Sequence, residues 1–395
     1  MLKKSLRDVD LRNKKVLIRV DFNVPQDDEG NITDDIRIRE STFTIDYALK
    51  HEGRIILMSH LGRPKGKVAD EFRLTPVAKR LSELLNRPVK KLDDCIGPEV
   101  ERAVAEMSQG DIILLENLRF YKEEEKNDPG FAKKLAALGD IFVNDAFGTS
   151  HRAHASTEGV THFLPSVAGF LVEKEIEYFE RINRNPDKPF VLVLGGAKVS
   201  DKIPMIENML TKVDVILIGG AMAYTFLKQE GINIGASRYE QDVADTAKVI
   251  LEKARAKGVE LLLPVDHVVS DNIDGTGRIK TTKDSTIEEG LMGVDIGPKT
   301  IDLFKERLKK AKTIVWNGPM GIFEKDRFGE GTKKIAEAMA ASSAVTVVGG
   351  GDSAAAAQKF GVQDRLTHIS TGGGASLEYL EGRVLPGIAA LEDKE

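Results

Sequence analysis

The sequence predicts an α/β fold of two doubly wound, parallel-sheet domains joined by a helix and a hinge. Short β-branched runs alternate with glycine turns and helical stretches along the chain, which argues for repeated right-handed βαβ units. At 395 residues the chain exceeds what one hydrophobic core ordinarily serves. Near its middle an amphipathic segment stops at Asn185-Pro186-Asp187-Lys188-Pro189, a strong stop and turn signal.

In the first half the clearest strands are 16–20, 55–58, 112–115 and 141–143. In the second half they are 191–194, 215–218, 261–265, 313–316 and 345–348, followed by 366–370. These runs are apolar almost throughout, as parallel strands covered on both faces should be. Val172, Ile176, Phe179 and Ile182 recur at helical spacing among Glu, Lys and Arg, so 172–186 reads as a helix between domains. The first domain is then 1–171. The alternative is an ordinary helix inside one large domain.

Composition narrows the function. A net charge of −5 gives no general attraction to nucleic acid or anionic membrane, so an anion site must come from a local cluster of basic groups. The single cysteine, Cys95, excludes an internal disulfide and an all-cysteine zinc site, and suits a reducing compartment. The N-terminal lysines precede no apolar stretch, unlike a signal peptide. The longest apolar run, 215–227, is interrupted by Gly219-Gly220 and falls short of the roughly 20 residues a span needs. A soluble, cytoplasmic protein is expected, with neither nucleic acid nor membrane as partner.

Four turns of the second half place glycines directly after an apolar strand: Gly195-Gly196, Gly219-Gly220, Asn317-Gly318-Pro319 and Gly349-Gly350-Gly351-Asp352. At the carboxyl ends of parallel strands such turns let backbone amides approach a phosphate, although one alone means no more than a tight turn. Lys198 and Lys202 follow the first turn four residues apart, on one face if a helix begins there. They otherwise read as a solvated helix face. Asp352 suits magnesium, which takes one or two carboxylates plus phosphates, or else an N-cap. Residues 345–354 also fit a weak dinucleotide fingerprint, but the strand 366–370 ends in Thr371 and three glycines, with no carboxylate for a ribose. That disfavours a dehydrogenase. The common P-loop and the protein-kinase signatures are absent.

In the first half, basic residues cluster in turns. Arg37 lies in 35–39. His60 and Arg63 lie in Ser59-His60-Leu61-Gly62-Arg63-Pro64, Arg119 in Glu116-Asn117-Leu118-Arg119-Phe120, and Arg152 in 148–154. Three of these groups follow predicted strands, so they converge on one rim of a sheet. Arginine forks donate paired hydrogen bonds to carboxylate or phosphate, each worth about 1.5–3 kcal/mol. Singly, each arginine reads better as a surface ion pair. His151 and His154 lack a third metal ligand nearby, which argues against zinc. The acidic stretch Lys122-Glu123-Glu124-Glu125-Lys126 reads as a surface loop.

In order, the stretches 19–25, 59–64, 116–120, 144–148, 151–156, 195–203, 316–324, 349–353 and 370–376 resemble the phosphoglycerate kinase family, with no departure at a motif position. The resemblance spans nearly the whole chain. It implies Rossmann-like domains, the first holding 3-phosphoglycerate or 1,3-bisphosphoglycerate and the second, 187–376, holding ATP or ADP with Mg²⁺. It also implies that 377–395 returns to the first domain and that the protein works as a monomer. Carried over by motif, Asp21, Phe22, Asn23, Arg37, His60, Leu61, Gly62, Arg63, Arg119 and Arg152 would meet the acid substrate. Lys202, Gly293, Asn317, Glu324, Gly350, Gly351, Asp352 and Ser353 would meet the nucleotide, with Glu324 on the ribose and Asp352 serving magnesium. Arg37, Lys198, Lys202, Gly372 and Gly373 would act on the transferring phosphoryl group, and hinges are expected near 172–189 and 370–374. A two-lobed binding protein without chemistry is the rival from another class. It would have no use for Lys198, Lys202 and Asp352 beside a glycine cradle.

Overall fold

The computed structural model describes residues 2–394, which group into two compact units, residues 2–177 with 384–394, and Tyr178–Arg383. The grouping changes within the helix Phe170–Arg184, whose Val172, Ile176, Phe179 and Ile182 are all buried. This is the stripe that periodicity predicts, and the helix stops one residue before Asn185.

The first unit is built on β1 (Lys15–Arg19), β2 (Arg54–Met58), β3 (Lys90–Lys91), β4 (Ile112–Leu114), β5 (Ile141–Asn144) and β6 (Ser166–Ala168). They form one parallel sheet in the order β3-β4-β2-β1-β5-β6. Residues 16–19 of β1 and 55–58 of β2 are buried on both faces, which is why these strands read as unbroken apolar runs. Ile38 and Ile45 of the helix Ile36–Lys50, and Val77 and Leu81 of Thr75–Leu85, close one side of this core. The chain turns one way after β1 and the other way after β5, so the sheet's switch point lies at the carboxyl ends of these neighbours. Ligands of such sheets sit there.

The second unit has β7 (Phe190–Leu194), β8 (Val215–Ile218), β9 (Glu260–Leu262), a group of three formed by β10 (His267–Ser270), β11 (Ile279–Thr281) and β12 (Met292–Ile296), then β13 (Thr313–Asn317), β14 (Val345–Val348) and β15 (His368–Ile369). Its six-stranded parallel sheet runs β15-β14-β13-β7-β8-β9. The switch point lies between β7 and β13. The remaining strands form a small antiparallel sheet, β11-β10-β12, which the parallel-strand pattern does not anticipate.

Three helices of the two units begin on a buried aspartate from elsewhere in the same unit. Asp145 accepts the Leu171 amide at 2.9 Å, Asp266 those of Lys299 and Thr300 at 3.0 and 2.8 Å, and Asp295 that of Gly331 at 2.6 Å. Each carboxyl oxygen accepts from first-turn donors that a helix cannot satisfy itself. Among the described residues no helix is long and apolar enough to cross a membrane.

Candidate active site

In the first unit, the turn after β1 carries Asp21, Phe22 and Asn23 to the switch point. Phe22 is buried in the core and its amide donates to Ser59 Oγ at 2.9 Å, so its part in the turn is to anchor it. Asn23 Oδ1 accepts the Gly62 amide at 2.9 Å, joining the turns after β1 and β2. Arg37, at the start of its helix, donates through Nη1 to Asp21 Oδ2 at 3.2 Å and to the Asn23 carbonyl at 2.9 Å.

Leu61 and Gly62 are held from below. Asn117 Nδ2 donates to the Leu61 carbonyl at 2.7 Å and to that of Phe72 at 2.8 Å, while Arg119 Nη1 donates to the Gly62 carbonyl at 2.9 Å. Gly62 has φ +62°, and a Cβ there would come within 2.3 Å of the Phe72 ring, so only glycine fits. Asn117 is fixed in turn by the buried Glu116, which accepts its amide at 2.9 Å and pairs with Arg73 and Lys91.

Cations outnumber their partners on this rim. Arg119 is buried, and its Nε makes no hydrogen bond within the chain, its nearest carboxylate oxygen, Glu125 Oε1, standing 3.5 Å away. Burial lowers its pKa, and Arg152 adds repulsion. His60 is held well below the usual imidazole range by burial, then by Arg19, Arg119 and Arg37. His154 is pushed down to about 3 by burial and by Arg19, Arg119 and Arg152. A site that disfavours additional protons so strongly is suited to an anion. Arg63 and Arg152 are exposed. A cleft of about 300 Å³ opens beside Asn23, Leu61 and Gly62, bordered further out by Asp27, Asp28 and Glu71.

One expectation fails here. Lys122–Glu125 is a one-turn helix, not a loop, and its Glu124 is fully buried. The side chain accepts the Ser156 amide at 3.0 Å and the Ser156 hydroxyl at 2.5 Å, beneath the equally buried Arg19. Glu124 does not stand out in the sequence, and Arg19 enters there only as the first residue of the stretch 19–25. Their connecting bond, Arg19 Nε to Ser156 Oγ at 2.8 Å, joins residues 137 apart in the chain.

In the second unit the glycine turns divide by what a side chain would meet. A Cβ at Gly195 would lie 2.0 Å from the Pro319 carbonyl oxygen, and one at Gly318 2.2 Å from that of Gly195. One at Gly220 would lie 2.5 Å from the Gly196 nitrogen. These glycines let the turns after β7, β8 and β13 cross backbone on backbone. Gly196, Gly351 and Gly373 face open space instead, and Gly350 has only the Asn317 amide near it. The helix Gly351–Lys359 begins at this opening, with Asp352 exposed in its first turn.

Lys202 and Asn317 meet there, Nζ donating to Oδ1. Asn317 Nδ2 donates to the Gly349 carbonyl at 2.9 Å, and the Gly318 amide to Ser353 Oγ at 2.6 Å. Burial lowers the Lys202 pKa, while Asp201, Asp352 and Glu381 act against it. No helix runs from Lys198 to Lys202, contrary to the one-face reading: the helix begins at Ile203, and Lys198 is exposed in the preceding turn. The loop instead folds around Glu240, which accepts the Val199 amide at 2.5 Å.

Gly293 lies on β12, where a Cβ would fall 1.7 Å from Tyr224 Oη. Glu324 is exposed, and its carbonyl accepts Lys359 Nζ at 3.3 Å. The Gly372 amide donates to Ser370 Oγ at 3.1 Å, so it is already engaged, and Gly373 caps the short helix Gly374–Leu380.

Known proteins resemble the chain over nearly its whole length. The family model of phosphoglycerate kinase matches residues 6–383. The phosphoglycerate kinase of Dictyoglomus turgidum is 58% identical over 391 residues, 99% of this chain and 98% of that one. That of Moorella thermoacetica is 54% identical over the full length of both. The phosphoglycerate kinase structure from Coxiella burnetii superposes with a TM-score of 0.91 at 42% identity, covering 98% of each chain. The Pyrococcus horikoshii enzyme gives 0.85 at 35%, covering 99% of this chain and 98% of that one. With its two doubly wound sheets, its basic rim and its glycine-lined opening, the chain belongs to the phosphoglycerate kinase family.

Proposed function

We propose that the chain catalyses reversible phosphoryl transfer between 1,3-bisphosphoglycerate and ADP, giving 3-phosphoglycerate and ATP. The observation that carries this reading is the basic rim of the first unit, where Arg37, Arg119 and neutral His60 converge on the switch point. We assign the acid substrate to this rim, bounded by Asp21, Asn23, Gly62, Arg63 and Arg152. We assign the nucleotide to the opening lined by Lys202, Asn317, Gly350, Gly351 and Ser353, with Gly293 and Glu324 further out.

In the ATP-consuming direction the carboxylate of 3-phosphoglycerate is the nucleophile, already ionised because such groups titrate near about 4. Its oxygen bonds to the γ-phosphorus as the bond to the β-phosphate oxygen breaks, and ADP departs with that electron pair. No proton is removed, so no general base is required. The protein's task is alignment and charge stabilisation. Arg37 and Lys202, assisted by exposed Lys198 and by the Gly373 amide, are the groups we assign to the transferring phosphoryl oxygens. Because acid and nucleotide are assigned to different units, we assign in-line transfer and the exclusion of water to a hinge-bending closure.

Asp352 fits a magnesium ion carried by the nucleotide. It is an exposed carboxylate in the first turn of the helix that opens the cradle, and one carboxylate beside phosphates suffices. Bound there, magnesium would supply charge neutralisation at the phosphate oxygens. We read the protein as a cytoplasmic monomer. The test is ATP consumption by purified protein with 3-phosphoglycerate and Mg²⁺, the acyl-phosphate product being removed by a coupling dehydrogenase. Turnover that stops with EDTA is expected. Folded protein that binds Mg-ATP without turnover would move the function to another phosphoryl acceptor.

A further inference from the structure

His60 has a fixed proton. Arg19 Nη2 lies 3.1 Å from His60 Nδ1. A guanidinium nitrogen only donates, so Nδ1 must be the acceptor and the ring carries its hydrogen on Nε2. Arg19 is in turn held by hydrogen bonds whose directions are forced. Its Nε donates to Ser156 Oγ at 2.8 Å, and a second nitrogen donates to the Val20 carbonyl. A carboxylate only accepts, so the Ser156 hydroxyl gives its own hydrogen to Glu124 Oε1 at 2.5 Å, and the Ser156 amide donates to Glu124 Oε2 at 3.0 Å. Arg19, Ser156 and Glu124 are all fully buried. An unpaired guanidinium could not reside there, and the carboxylates that face Arg19 are Glu124 first and Asp21 second; burial raises the Glu124 pKa, while Arg19 and the Ser156 hydrogen bonds lower it.

We propose that Glu124 and Ser156 are positioning residues for His60, acting through Arg19 to hold its imidazole in the tautomer whose Nε2–H is the donor offered to the acid substrate. This rests on the reading that His60 meets that substrate. The other groups around the ring are Arg37, Arg119 and His154, which oppose protonation, and Asp21, whose Oδ1 lies 4.0 Å from Nδ1 and favours it. Without the arginine fixed on Nδ1, Asp21 is free to draw a proton to that nitrogen. Burial, Arg119, Arg37 and His154 would still oppose a second proton, so the ring would stay neutral but lose its fixed tautomer and would no longer be held by its back edge.

The test is nitrogen–proton correlation spectroscopy of the full chain labelled at histidine, with steady-state kinetics of the same proteins. In the wild type His60 should carry one hydrogen, on Nε2, between about pH 5 and 8, where a free imidazole titrates. In Ser156→Ala part of the population should carry its hydrogen on Nδ1, drawn there by Asp21. KM for 3-phosphoglycerate should rise about tenfold, the equivalent of one charge-assisted bond, with KM for ATP unchanged. Ser156→Thr, which keeps the hydroxyl, should restore both. A wild-type hydrogen on Nδ1, a wild-type titration near the free-imidazole value, or a Ser156→Ala ring identical to wild type overturns the proposal. The first two need no variant to fold. His60→Gln separates the premise: an unchanged KM for 3-phosphoglycerate there, with the wild-type hydrogen on Nε2, rejects the substrate role of His60 and not the chain behind it.

Discussion

Lys202 and Asn317 are joined through the lysine ammonium and the asparagine amide oxygen, and the amide nitrogen of Asn317 is fixed on the Gly349 carbonyl at 2.9 Å. The cation is thus set by the last residue of β13, a rigid strand end, and not by its own loop.

Replacing Lys202 by alanine should therefore weaken nucleotide handling without unfolding the chain. KM for ATP should rise at least about tenfold and kcat should fall, as expected for losing one charged donor at the phosphates. Unchanged ATP kinetics would remove Lys202 from the site.

Arg37→Ala should behave differently. Its Nη1 bonds to Asp21 and the Asn23 carbonyl are single, modest contacts, which leaves the guanidinium available to the phosphoryl group. We expect kcat to fall by about 10²–10³, with ATP affinity by calorimetry within twofold of wild type. Parallel loss of turnover and nucleotide affinity would make the residue structural.

Gly293 tests a packing reason against a contact reason. A methyl group there collides with Tyr224 Oη, so Gly293→Ala should cost about 1–3 kcal/mol in urea unfolding. Adding Tyr224→Phe, which removes the colliding oxygen, should return part of that loss. No recovery would mean that the ring carbons, with Cζ 2.2 Å from the methyl position, resist it as strongly as the hydroxyl does.

Asp295 gives the pH prediction. Burial pushes its carboxyl up to about 8, although it accepts the Gly331 and Ile296 amides. In the unfolded chain it titrates near about 3.9. Between these values the folded protein retains a proton that the unfolded chain has released. Stability therefore falls as pH rises from about 4 towards 8, by up to about 1.4 kcal/mol per pH unit, and levels off above that. Asp145, raised to about 7 by burial, adds a decline of the same sign that ends one unit earlier. Asp295→Asn keeps an acceptor for Gly331 and cannot ionise, so its urea midpoint should decline less across this range. An identical pH profile would contradict the raised pKa.

What could be read in advance follows from what local sequence encodes. The central strands announce themselves because both faces are buried, leaving no polar position to interrupt the run. β3 is two lysines on an outer strand, and β11 is Ile279-Lys280-Thr281 at a sheet edge, so neither carries that pattern. In the site, His60 and Arg119 are visible because they follow predicted strand ends, whereas Arg37 gains its role only through the family resemblance. Glu124 is not visible. Amid Glu123 and Glu125 it has the composition of a solvated turn, and only tertiary contact with Arg19 and Ser156 draws it inward.

The crossing of Gly195, Gly220 and Gly318 has a consequence for how the family's sequences vary. Where two turns touch through their main chains, no side chain of any kind can be accommodated. Selection at these positions would look as severe as at a catalytic group, yet it would report only the thickness of a backbone. A survey ranking residues by evolutionary constancy would place these three beside Arg37 and Lys202. Their replacement should then appear as loss of folded protein and not as loss of rate per folded molecule.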